Sequence, residues 1–230
     1  MCGRYAEFLE TQDLLDALAA SGPGPHLGAR YNIGPTQTVR MVRTSREGGG
    51  RELVAARWGL VPPWATADAG AGRRPGAPLF NARLETVDAK PSFRRAFASR
   101  RAIVPASGYF EWRAHQGGTT PFFIHPAPDD AMHGVLAFAG IYEEHRTGND
   151  VLLSCSILTT AARGAMADIH DRQPVMLTAA NVDVWLTPDA SPEQLFAAAQ
   201  APAPALVWHE VGRAVGTIRN DGPGLIEPVG

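Results

Sequence analysis

Lysine is almost missing from this chain: Lys90 is the only one in 230 residues, and arginine supplies the rest of the fixed positive charge. Arginine is the planar, bidentate partner of phosphate and carboxylate, so any anion-binding surface here has to be built from arginine forks. Formal net charge is −2, which excludes a globally basic nucleic-acid binder and leaves only a local basic groove. Cysteine is equally scarce. Cys2 and Cys155 allow one bridge but no disulfide framework, and they form no C-x-x-C pair. The seven histidines contain no H-E-x-x-H motif, so neither a metal site nor another cofactor is expected. Long apolar runs are lacking too. No stretch approaches the ~18 residues of a membrane span. The opening M-C-G-R-Y-A-E-F-L-E carries an early acid and no apolar h-region, unlike a signal peptide. These absences point to a soluble, cytoplasmic protein.

What is present fits one globular domain over residues 1–230. Hydrophobic residues make up 45% of the chain, an ordinary share for burying a core. Short apolar runs bounded by Gly, Pro or polar residues predict strands at 53–56, 102–105, 122–125, 135–142, 151–159 and 207–211. Helices are predicted at 11–20, with Thr11 as N-cap, and at 91–99, 179–186 and 191–199. The last begins S-P-E-Q, a capping-box pattern with Ser191 at N-cap and Gln194 at N3. Strands and helices mix without βαβ alternation, so the expectation is an α+β fold. Its core would be a curved, largely antiparallel, barrel-like sheet with peripheral helices. Residues 65–78 are low in complexity and read as a flexible surface loop carrying Arg73 and Arg74.

Cys2 is the first residue with chemistry. Methionine aminopeptidases remove an initiator Met that precedes a small side chain. The product here would hold an α-amine and a thiol on adjacent carbons. These titrate near ~7.7–8.0 and ~8.5 in model compounds, so both are partly nucleophilic at neutral pH. The amine can form a Schiff base with an aldehyde, and the thiol can then close a five-membered thiazolidine; an ordinary buried thiol is the plainer alternative. Four further stretches place polar residues in apolar surroundings. L-F-N-A-R-L-E puts Asn81, Arg83 and Glu85 on one face of a strand. S-G-Y-F-E-W sets Glu111 among aromatics, at a rim or desolvated and lifted towards general-acid use. D-I-H-D-R-Q-P places His170, Asp171 and Arg172 at a helix end before a short strand, where His170 could simply meet the helix dipole. R-W-G-L-V-P-P-W brings Trp58 and Trp64 together, with Trp58 read as core. Nucleophile, carboxylate, imidazole and positioning amide form a chemically sufficient set.

In the order M-C-G-R-Y, R-Y-N-I-G-P-T-Q, W-G-L-V-P-P-W, N-A-R-L-E, P-A-S-G-Y-F-E-W, I-L-T-T-A-A, I-H-D-R-Q-P-V-M-L and R-N-D-G-P-G-L-I-E-P-V, the sequence resembles the SOS response-associated peptidase family, the abasic-site shielding proteins. The resemblance spans essentially the whole chain. It implies a groove for single-stranded DNA with Cys2 at its floor, bonded covalently to ring-opened abasic sites. It also implies roles: Cys2 as nucleophile, Asn81 as the orienting amide, Glu111 as acid/base and His170 as catalytic imidazole. Arg83 and Arg172 match phosphate contacts, Trp64 a wedge near unstacked bases, and Pro35 and Thr159 residues beside the site. The implied partner is abasic single-stranded DNA, with the protein a monomer that needs no metal or membrane. Gly34, Ser107 and Gln173 depart from the family pattern. Two other readings stay open: a thiol peptidase or amidohydrolase with an N-terminal nucleophile, and a non-catalytic single-strand binder.

The small residue after Met1 gives a first expected outcome. Intact mass of the purified protein should lack one methionine, and a residue left ahead of Cys2 should abolish covalent bonding to an abasic oligonucleotide on a denaturing gel. Full bonding by the extended protein would rule out the Cys2 amine as nucleophile.

Overall fold

The computed structural model describes residues 2–46, 48–65, 78–128, 132–147 and 150–230. The predicted loop, with Arg73 and Arg74, falls almost wholly outside them. In chain order the strands are β1 (Tyr5–Glu7), β2 (Ala20–Ser21), β3 (Arg30–Ile33), β4 (Thr38–Thr44), β5 (Arg51–Trp58), β6 (Asn81–Arg83), β7 (Arg101–Ala106), β8 (Gly108–His115), β9 (Gly118–Pro126), β10 (Leu136–Thr147), β11 (Asp150–Ala161), β12 (Arg172–Pro174), β13 (Met176–Leu177) and β14 (Leu206–Glu210). Helices are α1 (Thr11–Ala17), α2 (Arg94–Ser99), α3 (Ala179–Leu186) and α4 (Pro192–Gln200).

Five strands close on themselves. The antiparallel run β11-β10-β7-β4-β5 is completed by a parallel seam between β5 and β11, with Ser154 opposite Arg57 and Cys155 opposite Trp58. Closure removes free sheet edges along that ring. A second, antiparallel sheet, β14-β9-β8-β1-β3, lies beside it. The expected curved sheet core with peripheral helices is therefore what forms.

Alternation along the barrel strands divides the core in two. Val42, Leu53, Ile103, Ala139 and Leu158 face α1 to α4 and pack with Leu14, Phe97, Trp185 and Leu195. Met41, Val104, Phe138, Cys155 and Ile157 face the second sheet and pack with Tyr5, Tyr109 and Ile124. Cys2 belongs to this second cluster.

Helix boundaries shift for identifiable reasons. α1 stops at Ala17; Ala19 has φ +48, and Ala20–Ser21 pairs with β5. Thr11 is not the N-cap: Glu10 holds that place without a side-chain bond, and the Thr11 hydroxyl accepts from Arg40 instead, at 3.2 Å. α2 begins at Arg94 rather than at residue 91, because the segment before it is turn. Around α4 the capping box forms as read, with Ser191 and Gln194 bonded reciprocally.

A buried ion pair fastens the two sheets. Glu7 on β1 accepts from Arg40 Nε at 2.5 Å and Nη2 at 2.6 Å, and the two residues are 4% and 3% exposed. Burial pushes the Glu7 carboxyl up, and Arg40 draws it back. Removing one partner strands the other charge, a loss of ~3–5 kcal/mol, whereas replacing both with apolar groups costs little. Arg40→Leu should therefore lower denaturant-unfolding stability by about that amount, with most of it recovered in Glu7→Leu/Arg40→Leu. Equal losses in the single and double variants would show that the pair does not act as a unit.

Candidate active site

The site forms where the second sheet meets the barrel. β1 pairs with β8 through Tyr5 opposite Tyr109, which brings the chain just before β1 alongside the strand that carries Glu111. β6 runs parallel to β11, with Asn81 opposite Ile157 and Arg83 opposite Thr159. Its register is pinned from the barrel. The Trp58 indole donates to the Phe80 carbonyl at 2.9 Å, the Ile157 amide donates to the same oxygen at 3.0 Å, and Ser156 Oγ donates to the Leu79 carbonyl. Tyr5 stacks edge-on against Trp58, ring centroids 5.2 Å apart, so one aromatic side chain braces both Asn81 and the start of β1. Trp58 is fully buried, as the sequence suggested.

Cys2, Asn81, Glu111 and His170 converge. Cys2 is 0% exposed, and Asn81 Nδ2 donates to its backbone carbonyl at 2.7 Å. The other end of the Asn81 amide, Oδ1, is buried without a hydrogen-bond partner among the described residues. An acceptor in that state costs about 1–3 kcal/mol, so it marks a place where a donor fits. Glu111 is 4% exposed, and burial pushes its carboxyl up to about 7. The Cys2 thiol is raised far more, by burial first and then by repulsion from the Glu111 carboxylate. His170 Nε2 lies 3.8 Å from Glu111 Oε2.

The imidazole has opposed neighbours. Its Nδ1 accepts from the Arg172 backbone amide at 3.0 Å, which selects the Nε2–H tautomer facing Glu111, while Asp171 Oδ1 stands 2.8 Å from the same nitrogen and favours a proton there. Burial lowers the His170 pKa below its ordinary value, which favours the neutral ring. As read from the sequence, His170 follows a helix end, here the 3-10 helix Gly164–Asp168; its amide donates to the Met166 carbonyl at 3.1 Å, and β12 follows.

The remaining residues differ in setting. Arg83 is exposed on β6. Arg172 is engaged: it grips Glu85 with both Nη groups at 2.7 and 2.9 Å and donates to the Thr159 carbonyl at 2.7 Å. Glu85 does not share the Asn81–Arg83 face, because the strand ends at Arg83 and a 3-10 turn over Leu84–Thr86 follows, tucking Leu84 into the helix-side core. Thr159 is fully buried. Trp64 is 57% exposed at the end of its described segment. Pro35 sits in the β3–β4 turn, followed by Thr36 at φ +75, an uncommon conformation for a β-branched residue. Ser107 Oγ accepts from Phe8 N at 3.1 Å and Gln173 Oε1 from Arg163 N at 3.0 Å, so two of the departures from the family pattern serve the backbone locally.

Sequence reading passed over Tyr109. Its hydroxyl points at Met166 Sδ, 3.6 Å away, and proximity to Cys2 and Glu111 adds to the burial that raises its pKa. Strand alternation was the available signal, since Tyr109 stands two residues before Glu111 and shares its face.

A family model described as SOS response associated peptidase (SRAP) matches residues 1–218. The chain belongs to the SOS response-associated peptidase family. Abasic site processing protein YoqW of Bacillus subtilis is 35% identical over 234 residues, covering 99% of each chain. Abasic site processing protein YedK of Escherichia coli is 31% identical over 237 residues, covering 100% of each. A crystal structure of a protein from Bacteroides thetaiotaomicron superposes with a TM-score of 0.84 at 21% identity, over 99% of this chain and 100% of that one. That likeness shows a shared fold. No helix among the described residues of this family member is long and apolar enough to cross a membrane.

The Glu111 environment fixes the sign of a pH effect. Its folded-state pKa, about 7, lies above the ordinary 4.5, so its favourable contribution is complete below ~4.5 and is lost as pH rises through ~7. Between pH ~5 and ~8 the native protein should lose at most about 3 kcal/mol from this group, and Glu111→Gln should flatten that slope. Urea unfolding at both pH values measures it. Identical slopes in the two proteins would place Glu111 in a solvated setting.

Proposed function

We propose that this protein processes abasic sites in single-stranded DNA by bonding to them covalently through Cys2, once Met1 is removed. The relatives' names supply the substrate class, and the chemistry of the site supplies the route. The observation that carries the reading is the Glu111 carboxyl: buried, lifted to about 7, 3.8 Å from His170 and close enough to oppose ionisation of Cys2. A general acid–base works best with a pKa near the working pH.

Neutral His170 moves a proton at the ring oxygen of the closed sugar, which opens to the aldehyde. The α-amine of Cys2 adds to the carbonyl carbon and gives a carbinolamine. Protonated Glu111 gives its proton to the departing hydroxyl; water leaves and an iminium remains. The thiol sulfur then bonds to the iminium carbon, the C=N electron pair returns to nitrogen, and the thiol proton passes to the Glu111 carboxylate. The ring is a thiazolidine, one water is released, and Glu111 ends as it began. Asn81 holds the Cys2 carbonyl, and its unpartnered Oδ1 suits the N–H of the attacking amine. Fixing both reactants in this way is the main source of acceleration in such a step. Exposed Arg83 offers a phosphate contact, and Trp64 a stacking face. Arg172 would meet a phosphate only in competition with Glu85.

A thiol-peptidase reading is less well served, because a cysteine nucleophile needs a thiolate near neutral pH and burial here holds the Cys2 proton on. In the proposed route the thiol attacks last, with a base beside it.

One abasic oligonucleotide, with and without borohydride, tests the scheme on a denaturing gel. Native protein should give a stable adduct without reductant. Cys2→Ser should give an imine trapped only by borohydride, with reductant-free adduct down at least ~10-fold, because a hydroxyl closes the ring poorly. Glu111→Gln should slow native-type bonding by ~10²-fold or more. Equal reductant-free adduct from Cys2→Ser and native protein would assign the nucleophile elsewhere.

A further inference from the structure

Arg4 and Asn32 form a polar clamp that no step of the proposed reaction uses. Asn32 is 3% exposed on β3. Its Oδ1 accepts from Arg4 Nη1 at 2.9 Å, while its Nδ2 faces three carbonyls of the C-terminal segment, Val215, Thr217 and Asn220, at 3.2, 3.1 and 2.9 Å. Arg4 Nη1 also reaches the Val215 carbonyl at 2.9 Å, and Nη2 the Gly216 carbonyl at 3.4 Å. Asp221 accepts from the Tyr31 amide at 2.6 Å, a further tie between β3 and this segment. Val215 is fully buried and packs in one cluster with Phe110 and Phe123.

The Arg4 end of the clamp lies beside reacting groups. The Arg4 carbonyl accepts from the Phe110 amide at 2.9 Å, directly before Glu111. Cys2 is two residues from Arg4, a span of at most ~7 Å of chain. The Arg4 backbone amide also favours the ionised Cys2 thiol, against the burial that opposes it. Fixing Arg4 therefore fixes Cys2 relative to Glu111.

We infer that Asn32 and Arg4 are positioning residues: together they lock the C-terminal segment 213–221 over β3 and β1 and so hold the Cys2 thiol in line for ring closure. The inference rests on the covalent reading of Cys2 above. It makes the C-terminal segment part of the machinery although none of its side chains touches the reacting atoms. It also separates two steps. Amine attack still has the Asn81 bond to the Cys2 carbonyl to place it when the clamp is lost; ring closure against Glu111 depends in addition on where Arg4 holds the thiol.

Two readouts test it on the full chain, with Asn32→Leu removing both sets of bonds. Asn32→Asp keeps an oxygen for Arg4 and removes the donors to the carbonyls, and it carries the same test if Asn32→Leu does not fold. First, iodoacetamide labelling followed by peptide mapping reads each thiol separately. Cys2 and Cys155 are both buried and free in the native chain. In the variants Cys2 should label ~10-fold faster or more, while Cys155, held in the middle of β11, keeps its native rate. Second, with the abasic oligonucleotide, the ratio of reductant-free adduct to borohydride-trapped imine should fall ~10-fold or more, the scale expected when a reacting group is displaced by about an ångström. Parallel rises at both cysteines, or an unchanged ratio with both products reduced together, would show a merely structural role and overturn the clamp. No change in either readout would overturn it as well. If native protein gives no adduct at all, the covalent reading fails, and Cys2 labelling alone still decides whether the clamp holds the thiol.

Discussion

A thiol and a carboxyl share one buried pocket, and the carboxylate opposes ionisation of the thiol. Burial is the largest influence on both Cys2 and Glu111, and the Glu111 charge adds a second penalty on the thiol. In low dielectric such neighbours do not both give up their protons. In the proposed route they pass one proton between them and to a reacting partner. A carboxyl near 7 beside a thiol held protonated is poorly arranged for a standing thiolate. It is well arranged for a thiol that loses its proton only as its sulfur bonds to carbon. The pocket thus favours an order of events in which the nitrogen nucleophile acts first.

Such a pocket has to be built from distant chain segments, and the barrel seam does much of that work. The β5–β11 pair ends at Cys155 opposite Trp58. From there the Trp58 indole sets the Phe80 carbonyl, and Asn81 follows in sequence. The face of Trp58 that meets Tyr5 guides β1, whose side chain Glu7 is bonded to Arg40 of the barrel. The chain start is thereby held by an apolar contact, an ion pair and the Asn81 bond to Cys2. None of these lies within the segment itself. Position is imposed by tertiary structure, as expected where a short strand of three residues has little propensity of its own.

The parts of this arrangement that were legible in the sequence are those with a local cause. Ser191-Pro192-Glu193-Gln194 caps α4 as its chemistry dictates. The apolar runs became β7, β9, β10 and β11, because strands buried on a core read as apolar stretches. Strands such as β4 and β8 were not predicted, since Arg40, Arg43, Glu111 and Arg113 interrupt their apolar pattern; ion pairs or a site supply the partners that a sequence pattern does not show. Glu111 was recognisable as a carboxylate among aromatics, but its depth came only with the packing of the second sheet. Glu85 was misplaced because alternation was extended one residue past the point where Leu84 turns into the core. The Arg4–Asn32 clamp was invisible: its two members lie 28 residues apart, and the carbonyls they hold lie more than 180 further along.

Arg172 shows how an ion pair can connect binding to chemistry. Its guanidinium is bidentate to Glu85 and bonds the Thr159 carbonyl, while its own backbone amide donates to His170 Nδ1. Glu85 responds with a lowered pKa, set first by the hydrogen bond from Arg172. The carboxylate is 46% exposed and the guanidinium 14%, so solvent screens the acid more than the base. An exposed carboxylate of this kind contributes little net stability. A phosphodiester offering the same bidentate geometry and the same single negative charge would exchange for Glu85 at modest cost. Such an exchange would leave the Thr159 bond and the backbone in place, so the amide that orients His170 would not move. In the proposed route the guanidinium would then change its anion while its backbone amide stays on His170 Nδ1, so strand binding would not disturb the proton transfers at Cys2 and Glu111.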